Sequence, residues 1–277
     1  MAWTSICCQY DGTFAGFLTC VFECYLHREE PVEFRRSEDL CCSLYPLRNI
    51  STNKESAQRV YRSLAIRMGP LGQRTVVRGF LTCLPDRELW LWRLIRAGYR
   101  RGPDLFRDLT NPVMDKVGKA VHHLEHEAHL FTGFVRFSDL DGVLVGEIEP
   151  KNRVLPLLRP HFCGRYPQEH FILHDRIHQE ALFHRPGKWA ILPVSYFQIG
   201  PPDGVEQAFR TMWRSFYEVI AIQGRYNPRC RMTHMPKRYW NTMTEFQGQV
   251  PPAALARTPE EACGGPGIPS TERKPNL

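Results

Sequence analysis

The texture of the chain changes at Gly133, and that change does most to limit the fold. Before it, apolar residues recur at helical spacing. Helices are predicted over about 54–68, 74–84, 87–99 and 112–131, with Pro85 between the middle pair and Pro112 at a helix start, where its missing N–H is no loss. After it, the apolar period shortens. Phe134, Val135 and Phe137, then Val143, Val145 and Ile148, read as two strands joined by Asp141-Gly142, a strong hairpin signal. Segments 171–173, 181–183 and 189–192 read as three more short strands, and Pro150, Pro156 and Pro160 punctuate a helical piece at 155–166.

The two ends complete an α+β reading. A short apolar strand, Ile6 to Tyr10, meets the turn Asp11-Gly12, and Thr13 is placed to cap a helix carrying Phe14, Phe17, Leu18, Val21 and Phe22. Segment 205–222 is amphipathic, and its stripe of Phe209, Met212, Trp213, Phe216, Val219 and Ile220 is expected to face the core. From Pro251 on, the chain is rich in Pro, Gly and polar residues. The expected organisation is one domain over 1–249, a small, central, mostly antiparallel sheet packed by N- and C-terminal helices, with a disordered tail at 250–277.

Composition excludes several classes. With 277 residues, 43% of them hydrophobic, the chain can bury a core. Its ten cysteines do not form CxxC pairs of a zinc ribbon or a three-cysteine cluster spacing, and the opening residues do not read as a leader, so a reducing cytoplasm is expected. The apolar run from Phe14 to Phe22 is too short to span a bilayer, and no membrane partner is expected. Gly69-Pro70-Leu71-Gly72 lacks the Lys-Ser/Thr of a P-loop, and no GxSxG elbow occurs.

The formal charge is +7, and it is unevenly placed. Segment 225–240 holds five fixed cations, Arg225, Arg229, Arg231, Lys237 and Arg238, no acid, and the rings of Tyr226, Tyr239 and Trp240. Such a strip suits a polyanion with stackable bases; the alternative is a basic loop anchored by two rings. His161 and Arg165, four apart, would share one side of a helical piece and clamp a phosphate. Arg136 is either a phosphate contact or the partner of Glu147 or Glu149. His122, Glu125, His126 and His129 fall on one predicted helix face, which is read as solvated rather than as a metal site. His129 is the candidate for acid-base work, with Asp11, a turn acid suited to capping or to acting as a base, and Asp175, at a strand end.

Several ordered motifs resemble a bacterial domain of unknown function usually labelled "probable DNA metabolism protein". They include Tyr10-Asp11-Gly12-Thr13-Phe14, Gly133-Phe134-Val135-Arg136-Phe137, His161-Phe162-x-x-Arg165-Tyr166, Trp213-Arg214-x-Phe216-Tyr217, Arg225-x-Asn227-Pro228 and Met235-Pro236-Lys237-Arg238-Tyr239-Trp240, over about 6–247. One departure is His178, where the family commonly has Arg three residues after Asp175. The resemblance implies work on DNA beside a radical-SAM protein, with a uracil-DNA glycosylase-like protein as a further partner. The iron-sulfur cluster and S-adenosylmethionine would sit on the radical-SAM partner, leaving this chain without a cofactor or metal.

The leading expectation is a DNA-binding accessory protein in modification or repair. In it Arg136, His161, Arg165, Arg214, Arg225, Lys237 and Arg238 touch the backbone while Tyr239 and Trp240 stack or shape the groove. The rivals are a metal-assisted nuclease or glycosylase-like hydrolase using His129 with Asp11 or Asp175, and a protein adaptor that does not touch nucleic acid.

Overall fold

The computed structural model describes residues 3–36, 43–108, 110–197, 200, 202–225 and 227–247. The expected tail at 250–277, together with Cys41, Cys42 and Tyr226, lies outside the described residues.

Strand β1 (Thr4–Tyr10) leads through the turn into helix α1 (Phe14–His27). Gly12 takes φ +75° there, and Thr13, still extended, accepts a hydrogen bond from the Gly16 N–H at 2.9 Å. Strand β2 (Glu29–Arg36) then returns parallel to β1, and β3 (Leu47–Asn49) adds to β1's other side, giving the order β2-β1-β3. This parallel sheet was not expected from the sequence, where Pro31 reads as a break. Pro31 sits on an edge strand beside a register shift at Ile6/Cys7, a position where a missing ladder donor is tolerated.

Helix α2 (Lys54–Phe80) is two helices merged across a kink at Gly69, φ 73° and ψ 172°, with Pro70 restarting the second. The second half therefore occupies 70–80, earlier than the predicted 74–84. Helix α3 (Arg87–Arg101) follows, then α4 (Pro112–Phe134), capped by Asn111 on the N–H groups of Val113 and Met114 at 3.1 and 3.2 Å.

Helix α4 holds the molecule together. Its first half places Met114, Val117 and Val121 among Phe17, Leu64, Met68 and Trp92. Its second half places Leu124, Ala128 and Phe131 in another cluster with Ile148, Leu158, Phe171, Leu182, Tyr239 and Met243. Phe134, expected in a strand, closes α4 instead.

The second cluster lies on a five-stranded sheet of β4 (Phe137–Leu140), β5 (Val143–Ile148), β6 (His170–Asp175), β7 (Glu180–Arg185) and β8 (Lys188–Pro193), ordered as numbered. All neighbours are antiparallel except β5 and β6, which the crossover helix α5 (Leu155–Arg165) joins in parallel. The β4–β5 turn carries Asp141 and Gly142 at φ 51° and 81°, both left-handed as a tight hairpin requires. The fold is α+β and its larger sheet mostly antiparallel, as the sequence implies; the smaller parallel sheet is the addition.

Helix α6 (Gly204–Val219) overturns one expectation. Its apolar stripe faces outward: Phe209 is 58% exposed, Met212 61%, Phe216 52% and Val219 83%. The polar side faces the body. Glu206 accepts from the Asp139 N–H at 3.3 Å, and Arg210 donates to Ser138 at 2.6 Å. Arg214 donates to the Thr244 carbonyl at 3.0 Å, and Trp213 through its indole N–H to Glu245 at 3.0 Å. Helix α7 (Pro228–His234) and a 3-10 turn (Lys237–Thr242) complete the described chain.

Candidate functional site: a cation-lined cavity and an Asp–His cleft

Helix α4 separates two cavities. Consecutive residues on a helix lie about 100° apart, so Glu125 and His126 diverge although both belong to the predicted face. Glu125 and His129 border a cavity of about 670 Å³ with Arg74 and Arg78, and Arg78 pairs with Glu125. His126 borders another, of about 520 Å³, together with Lys116, Lys119, His123, Lys151 and Arg238. Among the described residues, no three His, Cys, Asp or Glu side chains gather in an arrangement able to hold a metal ion.

The second cavity is electrostatically one-sided. Lys116, Lys119, Lys151 and Arg238 line it, against a single acid, Glu127. Glu127 is fully committed: its carboxylate accepts from the Lys151 N–H (3.0 Å), the Asn152 N–H (2.9 Å) and the Asn152 side-chain amide (2.6 Å), and pairs with Arg238 at 2.9 Å. Four cations less one anion leave a formal +3 on the lining, with Lys119 also paired to Asp115 at 2.9 Å just outside it. Sequence reading passed over Lys116, Lys119 and His123, although their spacing on α4 places them on one face; Lys151 joins them only through the tertiary fold.

The basic strip is partly structural. Tyr239 is 2% exposed, packed edge-on against Phe131 (4.9 Å) and against Phe134 (5.1 Å), so its ring offers no open face to a base. Burial also pushes its hydroxyl pKa up. Trp240 stacks on Phe246 at 4.5 Å and donates to the Met235 carbonyl at 2.9 Å. Arg238 lies over Tyr239 at 4.4 Å while reaching Glu127. Arg225 and Lys237 are exposed; Arg214 is held on Thr244. Both rings are engaged by the protein's own side chains and so anchor the strip.

Arg136 is also committed, though not to Glu147 or Glu149. Its guanidinium reaches Glu245 at 2.7 and 3.2 Å and lies 5.4 Å from the Trp213 ring. Burial opposes charge on Glu245, but Arg136 and the Trp213 N–H together outweigh it and hold the carboxyl below its ordinary range. Glu147 meets His174 at 3.4 Å, and Glu149 meets Arg176 at 2.9 Å. His161 and Arg165 are both exposed on α5, with Arg165 3.3 Å from the Tyr166 hydroxyl.

The three acid-base candidates do not gather around one cavity. Asp11 is a turn acid: it accepts from Thr13 (2.9 and 2.7 Å) and Thr52 (2.7 Å), bonds that hold its pKa down against partial burial. It borders a cavity of about 1210 Å³ that His178, Gln179 and Glu180 also line. Asp175 is fully buried and accepts from the N–H groups of Ile177 and His178 (both 3.0 Å) and from His178 Nδ1 (2.7 Å). His129 borders the other cavity, across Leu81 and Pro156. The residue that joins Asp175 to Asp11's cavity is His178, noted in the sequence only as a departure.

Fold and site together define an α+β protein whose strongest chemical feature is a cation-lined cavity, with an Asp–His pair on a larger cleft. The chain belongs to the family described as Domain of unknown function (DUF4130), which matches residues 85–245. That span takes in α4, the larger sheet and the basic strip, and leaves out the β1–α1 turn with Asp11. No curated protein matches the chain. A solved structure, the pGpG-specific phosphodiesterase PggH from Vibrio cholerae, aligns with 64% of this chain and 81% of its own at 10% identity and a TM-score of 0.34. No helix among the described residues is long and apolar enough to cross a membrane.

Proposed function

We propose that this protein binds DNA as an accessory in modification or repair, holding backbone phosphates in the cavity beside α4. The observation that carries this reading is the net +3 lining, Lys116, Lys119, Lys151 and Arg238 around one neutralised acid. Lysine heads attract phosphate whatever the base, and Tyr239 and Trp240 are taken up in packing, so recognition rests on the backbone rather than on stacking. Exposed Arg225 and Lys237 extend the same field along the strip. The resemblance to DNA-metabolism proteins supports DNA as the polyanion and a radical-SAM protein as the partner that brings redox chemistry.

The test is fluorescence anisotropy with labelled single- and double-stranded DNA over a salt series. Affinity is expected to fall steadily with salt, and replacing Lys116 and Lys151 by Ala should reduce the log–log slope by about 2. Absence of binding at low salt rejects the reading and leaves the adaptor role.

A second reading, hydrolysis of DNA, is favoured by Asp175 and His178. A buried carboxylate that holds Nδ1–H fixes the imidazole tautomer and frees Nε2 to take a proton. Turnover of damaged oligonucleotides that His178→Gln abolishes while binding persists supports it; no turnover by the unaltered protein removes it.

A further inference from the structure

Helix α6 is mounted with its polar side against the body and its apolar side in solvent, the reverse of a surface helix serving its own core. Val205, Phe209, Met212, Phe216 and Val219, each at least 52% exposed, recur at intervals of four, three, four and three residues. That 3.5-residue period is the seam of a coiled coil and calls for another helix rather than a flat surface. Trp213 and the C-cap Ile220 flank it at 38% and 57% exposure. The half-exposed aromatics still show on the order of 100 Å² each. With the aliphatics, the patch reaches several hundred Å² and approaches the roughly 800 Å² per partner of a standard interface.

We infer that this face pairs with α6 of a second copy of the chain, antiparallel about a two-fold axis. Two properties of the seam point to self-association. The positions flanking it within the helix are Ala208 and Ser215 on one side and Glu206 and Trp213 on the other, with Ile220 at the C-cap, and the one charge among them, Glu206, is paired with Arg210 at 2.7 Å. Neither like-charge repulsion nor an unsatisfied charge asks for a partner of opposite sign. The second property is size. Phenylalanines alternate with smaller residues, so an antiparallel register sets Phe209 against the partner's Val219 and Met212 against the partner's Phe216, and the two-fold axis repeats both contacts. Each layer then matches a ring with an aliphatic chain at nearly constant volume. The 16 residues of α6 give a seam about 24 Å long.

Sedimentation equilibrium of the full chain over the micromolar range tests this. The unaltered protein is expected at twice the mass of one chain at the upper end, while Met212→Lys and Phe216→Glu are each expected as monomers. Both sites are exposed, so circular dichroism of the variants should match the parent. Mixing the two variants one to one should restore the dimer, because the introduced ammonium of one chain then meets the introduced carboxylate of the other across the seam. A protein that stays monomeric throughout, a dimer that both variants leave intact, or a mixture that stays monomeric would each overturn the proposal, the first assigning the face to another occupant.

Discussion

At the scale of single residues, this protein keeps many of its charges in pairs that hold the fold. Glu245 is the clearest, 3% exposed and bound by Arg136 and Trp213. Its pKa is lowered in the folded protein from the ordinary 4.5. The stabilisation it adds is therefore complete above the ordinary carboxylate range and is lost as pH falls through the lowered value. Glu245→Gln should cost about 1.5–3 kcal/mol at neutral pH, the value of hydrogen bonds to a charged group, with the difference shrinking below pH 4.5. Urea unfolding of both proteins across pH 3–7 checks it, and a difference independent of pH would show that the charge is not the source. The sequence displayed these cations as one class. Arg136, Arg238 and Lys116 look alike in a string, and only the fold shows that the first two are tied to buried acids and that Arg238 and Lys116 line one cavity. Asp175 was visible as a strand-end acid, yet its partner His178 registered only as a departure, because their bond depends on the tight β6–β7 turn.

At the scale of elements, local signals located helices and hairpins well and failed where a tertiary neighbour decides. The Asp141-Gly142 turn and the Thr13 cap follow from backbone chemistry within a few residues, and both form as expected. Strand β2 was hidden by Pro31, which is acceptable only because the strand lies at an edge. The period of α6 predicts an apolar side but says nothing of what covers it, and polar contacts with Ser138, Asp139 and Thr244 turn that side outward. The α2 kink gives a direct test. Gly69 has φ 73° and ψ 172°, a region open essentially to glycine alone, while an added Cβ would meet nothing nearer than Pro103 at 3.6 Å. Gly69→Ala should thus lower stability by about 1–3 kcal/mol through backbone strain, with no steric clash. Thermal unfolding measures the loss, and a stabilised variant would mean that the helix straightens without penalty.

At the scale of the whole molecule, α4 joins two hydrophobic clusters that neither sheet joins by itself. Leu124, fully buried at the middle of that helix, belongs to the cluster on the larger sheet one turn beyond Val121 of the other. Leu124→Ala should cost about 2–5 kcal/mol and move the unfolding of both halves together, seen as coincident transitions by far-UV circular dichroism and tryptophan fluorescence. Separate transitions would show that α4 does not couple them. The thiols extend this to slow breathing of the native state. Cys8, Cys20 and Cys24 are sealed between β1 and α1 and Cys7 is buried on the other face of the sheet, whereas Cys83 and Cys230 lie at the surface. An alkylating reagent would label the surface pair at once and the buried four only when the N-terminal layer opens, so the rate of the slow labelling phase reads the free energy of that opening without denaturant.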